Sequence, residues 1–137
     1  MAGRDERRGN ISDFVAYRAA RRARRSHRRD SGAADLLQLV AFERGVSPAQ
    51  LLDRSRLAHV VAARQLAMYL VYTTLGENMV KVGAIFGRDR TTVAYACRLI
   101  EDRRDEGDTA FDAELARLEL AAGELTAHST EVRHAHR

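Results

Sequence analysis

Proline, cysteine and aromatic residues are scarce in this chain of 137 residues. It has one proline, one cysteine, no tryptophan and only 6% aromatic residues. The single cysteine, Cys97, excludes an internal disulfide, and no apolar run approaches the length of a signal-sequence core or a membrane span. We therefore expect a cytoplasmic protein without membrane association. Because proline is almost absent while Ala, Leu and Arg predominate, the composition predicts an all-α fold.

Patterns that support catalysis or cofactor binding are also missing. The chain has no Gly-x-x-x-x-Gly-Lys-Ser/Thr phosphate loop, no paired carboxylates in a plausible pocket and no cysteine–histidine arrangement. Cys97 falls on the predicted core face of a helix, so we interpret it as a packing residue and not as a nucleophile. His134 and His136 are too close in sequence for ligation from one helix face and lack an organised third ligand. We expect no enzymatic activity, no cofactor and no metal.

Residues 79–100 predict two helices joined by a tight turn. Gly87 permits the positive φ that ends a helix, and Asp89 is a good N-cap for the next one. The first helix precedes Gly87 and carries a short apolar stripe of Met79, Val82, Ile85 and Phe86. The second follows Asp89, and its predicted core face consists of Val93, Ala96, Cys97 and Ile100. This arrangement is a helix-turn-helix.

The other face of the second helix is polar, and it begins with Arg90, Thr91 and Thr92, followed by Tyr95 and Arg98. Such groups can reach base edges and phosphates when a helix N-terminus enters the major groove. The alternative is an ordinary pair of packed helices with a polar rim, because short helix-turn-helix patterns are weakly specific.

The remaining chain predicts a helical scaffold. We expect helices over residues 34–44 and 58–74, a short helix from Pro48 with Ser47 as its N-cap, and a helix after Asp108. The last helix has an apolar face of Phe111, Leu115, Leu118 and Leu125. We divide the chain into an N-terminal arm (residues 1–32), a domain over residues 33–122 and a disordered tail over residues 123–137.

Three blocks of sequence, residues 62–70, 79–87 and 88–96, resemble the C-terminal DNA-binding domain of the chromosomal replication initiator DnaA, and the resemblance covers about residues 34–120. It implies a helical bundle with a Trp-repressor-like helix-turn-helix. Carried over to this chain, it implies base readout by Asp89, Arg90, Thr91 and Thr92. The candidate contacts to the DNA backbone are Arg54, Arg56, His59, Arg64, Lys81, Arg88, Tyr95 and Arg98.

Three departures from the family bear on the DNA sequence bound. A single Gly87 stands where the family has two glycines, so we expect a turn one residue shorter. Arg90 replaces a histidine, and its guanidinium can bond bidentate to guanine. The family inserts an arginine into the minor groove just before the Arg-Gln pair, whereas here Ala62 and Ala63 occupy those places, and alanine has no donor for that groove. The usual DnaA-box sequence is therefore not expected to be the best site.

Charge is distributed in blocks along the chain. Residues 1–30 hold ten arginines against four acids, whereas residues 101–137 hold ten acids against five arginines. We interpret the N-terminal arm as a DNA-phosphate clamp that is disordered until a polyanion neutralises it. Its candidate phosphate contacts are Arg18, Arg21, Arg22, Arg24, Arg25, Arg28 and Arg29. A solvated tail, RNA binding and membrane-surface binding remain alternatives, and the C-terminal acids could hold the arm in cis or recruit a basic partner.

We predict a protein that binds double-stranded DNA in a sequence-specific way and associates with the nucleoid. At replication-origin or DnaA-box-like sites it would regulate initiation by occupancy, because a chain of this length without a phosphate loop cannot carry the initiator's ATPase. One alternative is a transcriptional regulator at promoters. Another is an interaction module whose acidic C-terminal helix binds other replication or transcription proteins. The oligomeric state stays open.

Overall fold

The computed structural model describes Ile11, Phe14, Val15 and residues 31–135, with side chains described as far as residue 127. Within these residues the secondary structure is entirely helical, as the composition predicted. The helices are α1 (Ser31–Arg44), α2 (Pro48–Leu52), α3 (Ala58–Leu75), α4 (Met79–Phe86), α5 (Arg90–Asp105) and α6 (Thr109–Ala135). In this part of the chain, no helix combines the length and the hydropathy that a membrane span requires.

Helix α3 is the centre of the domain and packs against all five other helices. It is buried along most of its length, which confirms the predicted central helix. Its core residues include Val60, Ala63, Leu66, Ala67, Met68, Leu70 and Val71. Helices α1, α5 and α6 contribute the opposing apolar side chains, so a single core supports the helix-turn-helix formed by α4 and α5.

The short helix α2 begins where the sequence predicted. The Ser47 side chain accepts a hydrogen bond from the backbone N–H of Gln50 at 3.1 Å, and the Gln50 side chain accepts one from the Ser47 N–H at 2.9 Å. This reciprocal pair is a capping box, with Pro48 at the first helical position. Leu51 is fully buried and anchors α2 to the core.

Helix α6 is longer than predicted. We expected disorder from residue 123, but the helix continues to Ala135. Its apolar face extends past residue 120 through Ala121, Ala122 and Leu125, which are all buried and support the helix as far as Leu125. Packing of this face against α1 and α3 supports the helix across Gly123. The side chains of the tail histidines, including His134 and His136, lie outside the described residues.

Candidate nucleic-acid interface

The turn between α4 and α5 is built by glycine. Gly87 has φ of 66°, and its N–H donates to the carbonyl of Ala84 at 3.3 Å, while the N–H of Arg88 donates to the carbonyl of Gly83 at 2.9 Å. This pair of bonds is a Schellman motif, which satisfies carbonyls at the end of α4. The left-handed conformation predicted for Gly87 is therefore confirmed.

Gly83 has a second role that the sequence analysis missed. A Cβ atom at this position would lie 2.4 Å from the Arg88 carbonyl oxygen and 3.2 Å from the Asp89 carbonyl carbon and oxygen. The backbone of α4 thus packs directly against the turn with no room for a side chain. A glycine one turn before Gly87, inside a largely apolar helix, is the sequence signal that could have shown this close approach.

Asp89 caps α5, as predicted. One carboxylate oxygen, Oδ1, accepts the backbone N–H groups of Thr91 at 3.0 Å and Thr92 at 3.1 Å, together with the hydroxyls of both threonines. These bonds, first the Thr91 hydroxyl and then the Thr92 amide, lower the pKa of Asp89 below its usual value of 3.8. Among the described residues, none donates a hydrogen bond to Oδ2.

Helix α5 has the two faces that the sequence predicted. Its buried face contains Val93, Ala96, Cys97 and Ile100. Arg90, Thr91 and Thr92 are exposed at its first turn, and Arg98 and Tyr95 are exposed further along. The Arg98 guanidinium lies 6.0 Å from the centre of the Tyr95 ring, whose residue is 51% exposed. The polar side chains of this face are therefore accessible from outside the protein.

Cys97 packs in the core. Burial, and secondarily the charge of Glu101, raises the pKa of its thiol to about 11. A thiol that stays protonated and buried is a poor nucleophile, in line with the packing role predicted for it. Across the described residues, no group of three or more His, Cys, Asp or Glu side chains could hold a metal ion.

The loop of residues 53–57, which connects α2 to α3, carries two of the predicted phosphate contacts, Arg54 and Arg56, and both are exposed. The loop folds on itself through two short-range bonds. The Ser55 N–H donates to Asp53 Oδ1 at 2.8 Å, and the Leu57 N–H donates to Ser55 Oγ at 3.3 Å. The exposed His59 follows in the first turn of α3.

Arg64 requires a correction, because we predicted a contact to the DNA backbone and the structure buries it to 7% exposure. Its guanidinium donates to the carbonyls of Leu51 at 2.8 Å, Gln50 at 3.0 Å and Ser55 at 3.1 Å. Desolvation, and secondarily the charge of Arg88, lowers its pKa. Arg64 stands in helical register with the buried Val60 and Ala67, and this signal could have revealed its inward direction.

Arg88, also predicted to contact the DNA backbone, is half-buried and faces protein carbonyls. It donates to the carbonyls of Phe86 and Asp53, each at 2.6 Å, and to that of Leu52 at 3.4 Å. Together, Arg64 and Arg88 bond four consecutive carbonyls, from Gln50 to Asp53, at the end of α2. These groups would otherwise lack helical partners.

The Arg88 contacts bring the 53–57 loop next to the turn of the helix-turn-helix, although Arg88 lies 35 residues after Asp53 in sequence. Arg54 and Arg56 therefore belong to a loop that adjoins the turn before Asp89.

Lys81 is exposed on α4, with its Nζ 3.4 Å from Glu77 Oε2. The predicted phosphate contacts of the N-terminal arm lie outside the described residues. The arginines concerned are Arg18, Arg21, Arg22, Arg24, Arg25, Arg28 and Arg29.

In a comparison with known proteins, residues 33–100 match the family model described as bacterial dnaA protein helix-turn-helix. The chain is 41% identical over 76 residues to the chromosomal replication initiator protein DnaA of Chloroflexus aggregans, a match that covers 55% of this chain and 16% of that protein. It is 40% identical over 85 residues to DnaA 1 of Chlamydia muridarum, covering 62% and 19% of the two chains. The chain thus spans less than a fifth of the length of these relatives.

Proposed function

Because residues 33–100 belong to the bacterial DnaA helix-turn-helix family, we propose that this protein binds specific sequences of double-stranded DNA. It acts at replication-origin or DnaA-box-like sites and regulates initiation by occupying them, without hydrolysing ATP. The observation that carries the proposal is the exposed Arg90-Thr91-Thr92 segment at the capped N-terminus of α5, within the matched segment.

Base readout is assigned to the first turn of α5. Arg90 presents a rigid guanidinium that suits guanine O6 and N7. The hydroxyls of Thr91 and Thr92 donate to Asp89 Oδ1, and their lone pairs can accept a hydrogen bond from a base amino group. Asp89 uses Oδ1 for the cap. Its second oxygen can accept a hydrogen bond from a cytosine amino group, so capping and base reading do not compete for one atom.

Contacts to the DNA backbone are assigned to exposed polar groups on both sides of the turn. Arg54, Arg56 and His59 lie in or beside the 53–57 loop, and Tyr95 and Arg98 lie on α5. Lys81 adds a positive charge on α4. Such contacts fix the register of the helix on the duplex and supply affinity that depends on salt. Arg64 and Arg88 leave this set, because their guanidinium groups already bond protein carbonyls.

The proposal is tested by selecting bound duplexes from a random pool with the wild-type protein and with Arg90→Ala. We expect a wild-type consensus with a guanine opposite Arg90, worth about 1–3 kcal/mol over other bases, and loss of that preference in the variant. Arg117→Ala, which removes an exposed arginine of α6, is the matched control and should keep the consensus.

No binding of duplex DNA at low ionic strength, or a selection that yields no consensus, would contradict the proposal. An identical consensus with and without Arg90 would contradict the base contact assigned to Arg90. Mapping of the sites occupied on the chromosome then separates the two roles of the same helix. Occupancy at the origin supports regulation of replication, whereas occupancy confined to promoters supports the alternative of a transcriptional regulator.

A further inference from the structure

The 53–57 loop is held from the protein interior by one guanidinium group. Arg64 donates to Gln50 and Leu51, which precede the loop, and to Ser55, which lies within it. Its fourth contact is an ion pair with Asp53 at 3.5 Å. One planar group therefore fixes the relative positions of both sides of the loop.

Lysine cannot replace this arrangement. A guanidinium presents five N–H donors in a rigid planar fork, whereas an ammonium is a compact point charge with three donors. Arg64 is only 7% exposed, so water has little access to carbonyls that lose their donor. Removing the guanidinium would leave the Gln50, Leu51 and Ser55 carbonyls without these bonds and loosen the loop on its Ser55 side.

The loop is also tied to the helix-turn-helix. Arg88, at the turn, donates to the Asp53 and Leu52 carbonyls at the start of the loop. The position of Arg54 and Arg56 relative to α5 is consequently set by backbone bonds to Arg64 and Arg88, while their own side chains stay exposed. The two pairs of arginines thus have different roles. Arg64 and Arg88 hold the backbone of the loop, whereas Arg54 and Arg56 project from it into solvent.

We propose that Arg64 is a positioning residue for DNA binding. It holds the 53–57 loop so that Arg54 and Arg56 meet phosphates while the first turn of α5 meets the bases, and it does not itself touch DNA. The assignment rests on the proposed function, because it presumes that duplex DNA is the ligand of this face.

The test measures duplex affinity over a range of salt concentrations for the full chain and three variants. These are Arg64→Lys, the double variant Arg54→Ala/Arg56→Ala, and the triple combination. Loss of two phosphate contacts makes the plot of log affinity against log salt shallower by about 1.8, at about 0.9 per phosphate. We expect this smaller slope in the double variant. In Arg64→Lys we expect the slope to fall almost as far. The triple variant should match the double variant, since the loop contacts can be lost only once.

A merely structural role for Arg64 predicts different results. Partial unfolding lowers the fraction of protein able to bind, which stoichiometric titration measures, but it leaves the salt dependence of the folded fraction unchanged. Leu118→Ala, a cavity variant in the buried face of α6, is the control for such destabilisation and should keep the wild-type slope. Arg64→Gln is measured alongside, and both Arg64 variants are assayed at a temperature where circular dichroism shows wild-type helix content.

The assignment would be overturned, with the proposed function intact, by either of two results. One is an unchanged salt slope in both Arg64 variants, and the other is a triple variant whose loss of slope equals the sum of the losses in Arg64→Lys and the double variant. Failure of the wild-type protein to bind duplex DNA at low ionic strength would instead overturn both.

Discussion

Substitution of Gly83 by alanine tests whether the backbone of α4 must touch the turn that leads into α5. The added Cβ would meet the Arg88 carbonyl oxygen at 2.4 Å, and real Cβ atoms essentially never come closer than 3.0 Å to such an atom. The turn must therefore move by about 0.6 Å or more, and it cannot rotate away as a side chain would. That movement also disturbs the bond from the Arg88 N–H to the Gly83 carbonyl.

The expected penalty is obtained by comparison with Gly123→Ala in α6, where an added Cβ meets nothing within 4 Å. Both substitutions gain about 1 kcal/mol of helix propensity, so this gain cancels in the comparison. The difference is then the overpacking term, about 1–3 kcal/mol less stability for Gly83→Ala. In a domain of this size it corresponds to a melting temperature lower by ~3–12 °C.

Thermal and urea unfolding of the two variants, followed by circular dichroism, measure this difference. Gly83→Ala should also bind duplex DNA more weakly than its folded fraction accounts for, because the turn sets the direction of α5. The reasoning would be refuted if the two variants had equal stability within about 0.5 kcal/mol, the usual effect of a surface substitution.

Two further predictions concern the cap and the N-terminal arm. Because the pKa of Asp89 is lowered in the fold, its carboxylate stabilises the protein above the ordinary pKa of 3.8, and this contribution is lost as the pH falls through the lowered value. In urea unfolding, Asp89→Ala should have a lower free energy of unfolding than the wild type, and this difference should shrink between about pH 7 and about pH 3. A difference that stays constant would contradict the charge dependence of the cap. Deletion of residues 1–30 should reduce the salt slope of duplex binding by about 0.9 for each phosphate the arm engages, and an unchanged slope and affinity would exclude the clamp.

The sequence by itself determined the local features of the helix-turn-helix. The positive φ of Gly87 and the cap at Asp89 follow from contacts within a few residues of the chain. The buried face of α5 follows in the same way from the 3.6-residue helical period. Local chemistry and periodicity are readable in sequence because the partners of each group are its near neighbours.

Tertiary structure decided which backbone groups the inward-facing arginines bond. Arg64 and Arg88 have the same side chain as Arg54, yet apart from the neighbouring Phe86 carbonyl their backbone partners lie 9 to 36 residues away, and only folding brings these together. The extension of α6 past residue 123 likewise depends on the packing of separate helices. The helical period of the sequence indicates which face of a helix is buried. The direction of a charged side chain depends also on which unsatisfied backbone groups the fold places within its reach.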